Sequence, residues 1–298
     1  MSHVLVLISN PEIRGLESRH VEAAVKALPS PGTPDWLHPD IACQIPFERG
    51  DIAVVDVKGK VREALRDQPL DIAIVATENR RKKLLVADMD STMIEQECID
   101  EIADLLGLKD KVSAITERAM VGELPVAEAL RERAALLAGV TRQQINTLID
   151  ERITLMPGAA TLVATMSAHG ALCALVSGGF TAFTDVIGAR LGFHETRANV
   201  LGFKGDALDG TVKEPILGPE AKLAALNQFA ARVASGPVDA IAVGDGANDI
   251  SMIRNAGMGV AYHAKPLVAA TARIQINYGD LTALLYIQGY RMEEFSNK

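Results

Sequence analysis

Cysteine is nearly absent: three residues in 298, Cys43, Cys98 and Cys173, stand far apart with no CxxC pair and no histidine at zinc-type spacing. Neither a disulfide framework nor a zinc site is suggested, and a reducing cytoplasm is the expected compartment. Aromatic residues are scarce at 4%, yet 48% of the chain is hydrophobic and 23% charged, the balance of a soluble α/β protein and not of a disordered one. Basic blocks are missing apart from Arg80-Arg81-Lys82-Lys83, which reads as a linker leading into a strand. With a formal net charge of −8, the chain is not expected to bind nucleic acid nonspecifically. No basic stretch leads into an apolar core and cleavage site at the start, so no signal peptide is expected. The segment from Ile153 to Thr184 lacks Asp, Glu, Lys and Arg, but Pro157, His169 and several glycines interrupt it. It is expected to be helix, turn and buried strand, with no membrane span.

What is present divides into two patterns. Residues 1–82 read as a small α/β domain: strands at Val4–Ile8, Ile41–Pro46 and Ile72–Val75, helices at Glu17–Ala27 and Val61–Arg66, and a loop from Pro29 to Pro39. In element order alone it resembles small regulatory modules of the ACT type. An appendage for folding, or for pairing into a homodimer, is an equally good reading. Residues 83–298 alternate strand and helix as a doubly wound parallel sheet does. Strands are expected at Leu84–Ala87, Leu172–Val176, Ala240–Val243, Met258–Ala261 and Ile274–Ile276. Between the first two lies a helical insertion of cap size, about 96–151, with four segments of helix-period apolar residues. Residues Asn199–Val212 read as a β-hairpin beside the sheet.

Two strand ends carry the chemistry. VADMDST (Val86–Thr92) and VGDGANDISM (Val243–Met252) each run an apolar strand into carboxylates, so Asp88, Asp90, Asp245 and Asp249 should converge at the carboxyl edge of the sheet. Two carboxylates about 4 Å apart repel by roughly 4 kcal/mol at an effective dielectric near 20, so such a cluster calls for a cation or shared protons. An all-oxygen donor set points to Mg²⁺. Either segment alone could be turn and cap chemistry; both together, with Ser177-Gly178-Gly179 at a third strand end, argue otherwise. An aspartate can attack phosphorus while a second carboxyl moves protons. Phosphate must then be held by backbone N–H groups, by the Ser177 hydroxyl and by a lysine, for which Lys222 is the candidate, with Asn248 orienting Asp88 or a phosphate oxygen. Cys98 and Met89 are expected to pack in the core, and His263 to be a hydrogen-bonded structural residue.

DMDST at Asp88, SGG at Ser177, Lys222 and GDGANDISM from Gly244 resemble, in order, the four motifs of the haloacid dehalogenase superfamily. DMDSTMIEQECIDEIADLLG, TERAMVGELPVAEALRERAALL, MPGA, VSGGFT, VGDGANDISMI and AYHAKP are similar to the phosphoserine phosphatase family within it. The resemblance spans Leu84 to about Leu285 and leaves out the first eighty or so residues. It implies a Rossmann-like core with a helical cap, Mg²⁺ and a phosphoaspartyl intermediate. Asp88 would be the nucleophile and Asp90 the general acid/base. Asp245 would ligate the metal alongside Asp88 and the Asp90 carbonyl, and Asp249 would support it. Ser177, Gly178 and Lys222 would bind phosphate, while Glu97 and Arg133 would hold the ammonium and carboxylate of phosphoserine. The implied role is the last step of serine biosynthesis. Pro125-Val126 departs from the pattern, since relatives commonly carry a polar residue and an aromatic there. Another small-molecule phosphomonoesterase or phosphotransferase is the nearest alternative; a phosphoaspartate signalling receiver has no use for Asp90 or a cap.

Overall fold

A computed structural model describes residues 1–66, 68–120, 123–233 and 236–296. The chain opens with β1 (His3–Ser9), α1 (Ser18–Ala27), β2 (Asp35–His38), β3 (Ala42–Phe47), α2 (Val54–Ala64) and β4 (Leu70–Ala76). These strands form one sheet in the order β2-β3-β1-β4, with β1 antiparallel to both β3 and β4, a ferredoxin-like βαββαβ unit. Strand β1 shows why it sits in the middle. Leu5 and Leu7 face one side and pack with Val21, Ala24, Val57 and Val61 of the two helices, while Val4, Val6 and Ile8 face the other and join the core of the larger sheet. Neither face is left to water.

The second sheet is built from β5 (Leu84–Ala87), β6 (Leu172–Phe180), β7 (Glu195–Asn199), β10 (Ala240–Gly244), β11 (Met258–Tyr262) and β12 (Ile274–Ile276). All six strands are parallel, in the order β12-β11-β10-β5-β6-β7. Its residues alternate between two layers. Leu84, Val86, Ala174, Val176, Ala240 and Ala242 pack beneath α9 (Pro219–Val233), α10 (Ile250–Asn255) and α11 (Pro266–Thr271). Leu85, Cys173, Leu175, Ile241 and Val243 face α7 (Ala159–Ala168), α8 (Thr181–Leu191) and α12 (Ala283–Ile287). Burial on both faces is why these strands read as short apolar runs.

Four helices, α3 (Cys98–Leu105), α4 (Lys109–Met120), α5 (Val126–Leu136) and α6 (Arg142–Arg152), leave the sheet after β5 and return before α7. Thr141 caps α6, accepting from the Gln144 N–H while the Gln144 side chain reaches back to the Thr141 N–H. The hairpin β8 (Leu201–Lys204) and β9 (Ala207–Val212) braces this insertion. Gly139 donates to the Leu208 carbonyl at 2.8 Å and Leu208 to the Val140 carbonyl at 2.8 Å.

Three expectations need correction. The Pro29–Pro39 segment contains β2, because Asp35, Trp36 and His38 find partners in β3. Helix α2 begins at Val54, seven residues before Val61, its first turn marked only by Asp56. The parallel sheet gains β7 at its edge, a strand whose polar sequence ETRAN shows no apolar run.

Candidate active site

Between β5 and β10 the strand order reverses, and there the carboxyl ends of an open parallel sheet leave a crevice. Asp88 follows the last residue of β5 and donates its N–H to the Val243 carbonyl of β10 at 3.0 Å. The chain then turns tightly, with the N–H groups of Thr92, Met93 and Ile94 all directed to the Met89 carbonyl. This turn, and not strand pleat, brings Asp90 round beside Asp88. The Asp90 carboxylate accepts the Cys98 N–H at 2.9 Å on one oxygen and the Ser177 hydroxyl at 3.2 Å on the other. A carboxyl so fixed at both oxygens is held in one orientation.

Lys222, on the first turn of α9, is buried with its ammonium 2.6 Å from Asp88 Oδ1 and 2.6 Å from Asp249 Oδ1. Asp249 Oδ2 accepts the Gly246 N–H at 3.0 Å. No side chain fits at Gly244, where a Cβ would stand 2.3 Å from Asp249 Cγ. Carboxylate oxygens of Asp88, Asp245 and Asp249 lie within 4.8 Å of one another, and Asp245 also accepts the Thr92 hydroxyl at 3.0 Å. Three oxygen donors facing one point, without histidine or cysteine, suit a hard divalent cation.

Charge balance supports that reading. The four carboxylates Asp88, Asp90, Asp245 and Asp249 outnumber the lysines near them, Lys222 and Lys265, and burial compounds the excess. Burial and the Asp249 charge raise the Asp88 carboxyl well above its usual range, against the pull of Lys222. Burial raises Asp90 too, against the hydrogen bonds from Cys98 and Ser177, and burial with Asp249 raises Asp245. Lys222 is pushed the opposite way from most buried lysines: desolvation works against its charge, but Asp88 and Asp249 hold the proton on.

Above these groups the cap closes a cleft of about 650 Å³. Its floor is Asp88, Asp90, Ser177, Gly178, Lys222, Asp245 and Asn248; Glu97 and Arg133 line it from the cap side. Burial and then the Asp90 charge push the Glu97 carboxyl up to about 7, and the Ser91 hydroxyl donates to it at 2.9 Å. Arg133 bonds the Ala129 carbonyl and the Thr116 hydroxyl, each at 3.3 Å. Among the described residues no carboxylate lies within ion-pair distance of it, which leaves its charge available to a ligand. Every site residue expected from the sequence meets at this cleft except Asp249, which lies fully buried under the floor. Val126 is 53% exposed and borders the cleft.

Three contributors escaped sequence reasoning. Thr92 holds Asp245 and was legible as the last residue of DMDST. Lys265 of AYHAKP lines the cleft near Asp245 and Glu97. Asn199 has no motif: its amide donates to the Gly178 carbonyl at 2.8 Å and accepts the Leu217 N–H at 2.7 Å, joining the SGG strand end to the approach of α9.

The family described as haloacid dehalogenase-like hydrolase matches residues 85–254, and the chain belongs to that family. It is 49% identical over 208 residues to a phosphoserine phosphatase of Albidiferax ferrireducens, covering 68% of this chain and 88% of the relative. A probable phosphoserine phosphatase of Vibrio cholerae, solved unliganded, matches with a TM-score of 0.77 at 30% identity over 98% of this chain and 88% of that one. A structure described as the phospho-aspartyl intermediate analogue of phosphoserine phosphatase matches with a TM-score of 0.63 at 38% identity, covering 69% of this chain and 98% of that one. The protein is therefore an enzyme, a phosphatase grouped with the phosphoserine phosphatases.

Proposed function

We propose that the protein hydrolyses O-phospho-L-serine to L-serine and phosphate through a phosphoaspartyl intermediate on Asp88. The observation that carries this reading is the facing pair of charges in one cleft. Glu97 and the carboxylate-free Arg133 stand on the cap side opposite Asp88 and Asp90, complementary to an amino acid's ammonium and carboxylate with its phosphate on the sheet.

Asp88 attacks phosphorus, a P–O(Asp88) bond forms, and the bond to the seryl oxygen breaks. Asp90 gives its proton to that oxygen, a role suited to a carboxyl whose affinity for a proton burial raises. Serine leaves. Asp90 then takes a proton from water, whose oxygen attacks the acyl phosphate and restores Asp88. Ser177, Gly178 and Lys222 hold phosphate oxygens, with the Asn248 amide beside them. Asp88, Asp245, Asp249 and the Asp90 carbonyl would hold Mg²⁺, which supplies positive charge against the phosphate oxygens. The same reading makes the enzyme a cytoplasmic one acting in serine biosynthesis; among the described residues no helix is long and apolar enough to cross a membrane.

A phosphate-release panel tests the assignment: phosphoserine against phosphothreonine, sugar phosphates and p-nitrophenyl phosphate, with Mg²⁺ and with chelator. Phosphoserine should lead by at least tenfold in kcat/KM and release should stop in chelator. A flat profile would reassign the protein to a general phosphomonoesterase, and transfer to added alcohols to a phosphotransferase.

A further inference from the structure

A second cleft, of about 1050 Å³, opens between α2 of the first sheet and the β11–β12 edge of the second. Six cations line it: Lys58 and Arg62 on α2, Arg80 and Lys82 on the connection between the sheets, Arg254 at the end of α10, and Arg273 before β12. The only carboxylate among the described lining residues is Glu78. In a chain of net charge −8, this is a local inversion of sign.

None of the six cations has an ion-pair partner within 4 Å among the described residues. Lys58 donates to the Arg273 carbonyl at 3.3 Å, and Lys82 to the carbonyls of Asn79 and Val238 at 2.7 and 2.9 Å. Arg80 spends its fork on the Ile287 and Tyr286 carbonyls and on Gln44. Burial lowers all three, Arg80 to about 10, with Asp71 and Asp239 giving Lys58 and Lys82 only distant relief. Like charges gathered in a concavity repel one another unless an anion sits among them.

Gly59 leaves its stretch of the cleft wall without a side chain. It lies inside α2, where glycine is unfavourable relative to alanine, and a Cβ there would meet nothing within 4 Å. The backbone of α2 is bare toward the cleft at Gly59, and among the described residues none fills the space beside it. Val54 and Val55 beside it are 36% and 72% exposed, an apolar shelf next to the cations.

The two clefts share elements. Helix α10 starts directly after Asp249 and places Arg254, its penultimate residue, in the second cleft. Around α11, Lys265, Leu267 and Val268 line the active site while Ala270 to Arg273 line the second cleft. A ligand that draws Arg254 and Arg273 together acts on the supports of the metal-binding loop.

We propose that this cleft binds a small phosphorylated molecule of the nucleoside phosphate class, phosphates on the cations and ring on the valine shelf, and that its occupancy alters turnover at the active site. The proposal stands apart from the substrate assignment, because binding can be read without phosphoserine. Calorimetric titration of the full chain with adenosine 5′-(α,β-methylene)diphosphate, which turnover cannot cleave between its phosphates, should give one saturable site weakened by added salt. Lys58→Ala with Arg62→Ala should weaken it at least tenfold, and so should Gly59→Leu, which keeps every charge and fills the open space. Lys222→Ala should change it less than twofold. Absence of binding to millimolar concentration, binding unchanged in both cleft variants, or binding lost with Lys222→Ala would overturn the site. Saturating ligand should also change phosphate release from p-nitrophenyl phosphate by at least twofold in the native chain but not in the Lys58/Arg62 variant; equal rates with and without ligand would overturn the coupling.

Discussion

At the scale of single residues, Asp88 and Asp90 stand two positions apart in the sequence, and the proposed mechanism gives them different roles: one would carry phosphorus, the other a proton. Asp88→Asn should reduce turnover to background, because an amide cannot form the acyl phosphate, and single-turnover phosphate release checks this directly. Asp90→Asn should slow phosphoserine hydrolysis by about 10²–10⁴ while sparing the burst with p-nitrophenyl phosphate, whose leaving group needs little protonation. Equal losses on both substrates would remove the acid role. Glu97 makes a pH prediction. Its carboxyl is pushed up to about 7 by burial and by Asp90, so below that pH it turns neutral and cannot pair with an ammonium. The kcat/KM for phosphoserine should therefore fall as pH drops below about 7, the aryl phosphate should lack that limb, and Glu97→Gln should abolish the difference. A bound cation favours the charged form and would move the limb to lower pH, whereas the substrate ammonium acts only in the complex and so bears on kcat, not on kcat/KM. The acidic motifs were legible residue by residue because carboxylates crowded at strand ends have few structural uses. Asn199 was not, since an isolated asparagine on an edge strand shows its two bonds only once β6 and the approach to α9 lie beside it.

At the scale of elements, the proposed mechanism puts chemistry on the sheet and recognition on the cap. Arg133 sits on α5 and Glu97 at the start of α3, so both arrive at the cleft only if those helices pack as they do. Removing one partner of a charge pair in a closed site costs about 3–5 kcal/mol. Arg133→Ala should thus lower kcat/KM for phosphoserine by at least a hundredfold and leave p-nitrophenyl phosphate within a few fold, since specificity is a difference in transition-state binding. A parallel fall on both substrates would make Arg133 structural. Elements with an apolar period were readable: β5, β10, β11 and the four cap helices lie close to where their patterns put them. β2 and β7 were hidden because each pairs with one neighbour only, and an edge strand needs less apolar surface than a central one. The early start of α2 was hidden for another reason: Val54 and Val55 are exposed, so the first turn carries no buried stripe to mark it.

At the scale of the molecule, the two sheets are not strung on a loose tether. The basic run at Arg80–Lys83 looks like a linker in sequence, but Arg80 reaches Gln44 of β3 and the carbonyls of α12. Asp71 of β4 accepts the N–H groups of Asn277, Tyr278 and Gly279 at 2.7, 3.2 and 2.7 Å. Gly279 in turn receives His263 at 3.0 Å, two residues before Lys265 of the active-site cleft. No local periodicity encodes such contacts. Val4, Val6, Ile8, Ala73 and Val75 share one core with Leu285, Tyr286 and Ile287, and each uncovered aliphatic side chain forfeits about 1.5–3 kcal/mol of burial. The face that the first unit covers is apolar. Truncation at Arg81 should therefore lower the melting temperature by 10 °C or more and expose a surface that binds a hydrophobic dye, although no proposed catalytic group has been removed. Asp71→Ala in the full chain should show a milder form of the same defect, about 1–3 kcal/mol, from the buried Gly279 N–H left without its acceptor. If the truncated chain melted with the native one and bound no dye, the interface would be a contact of convenience, and the covering of α12 would have to come from the larger sheet itself.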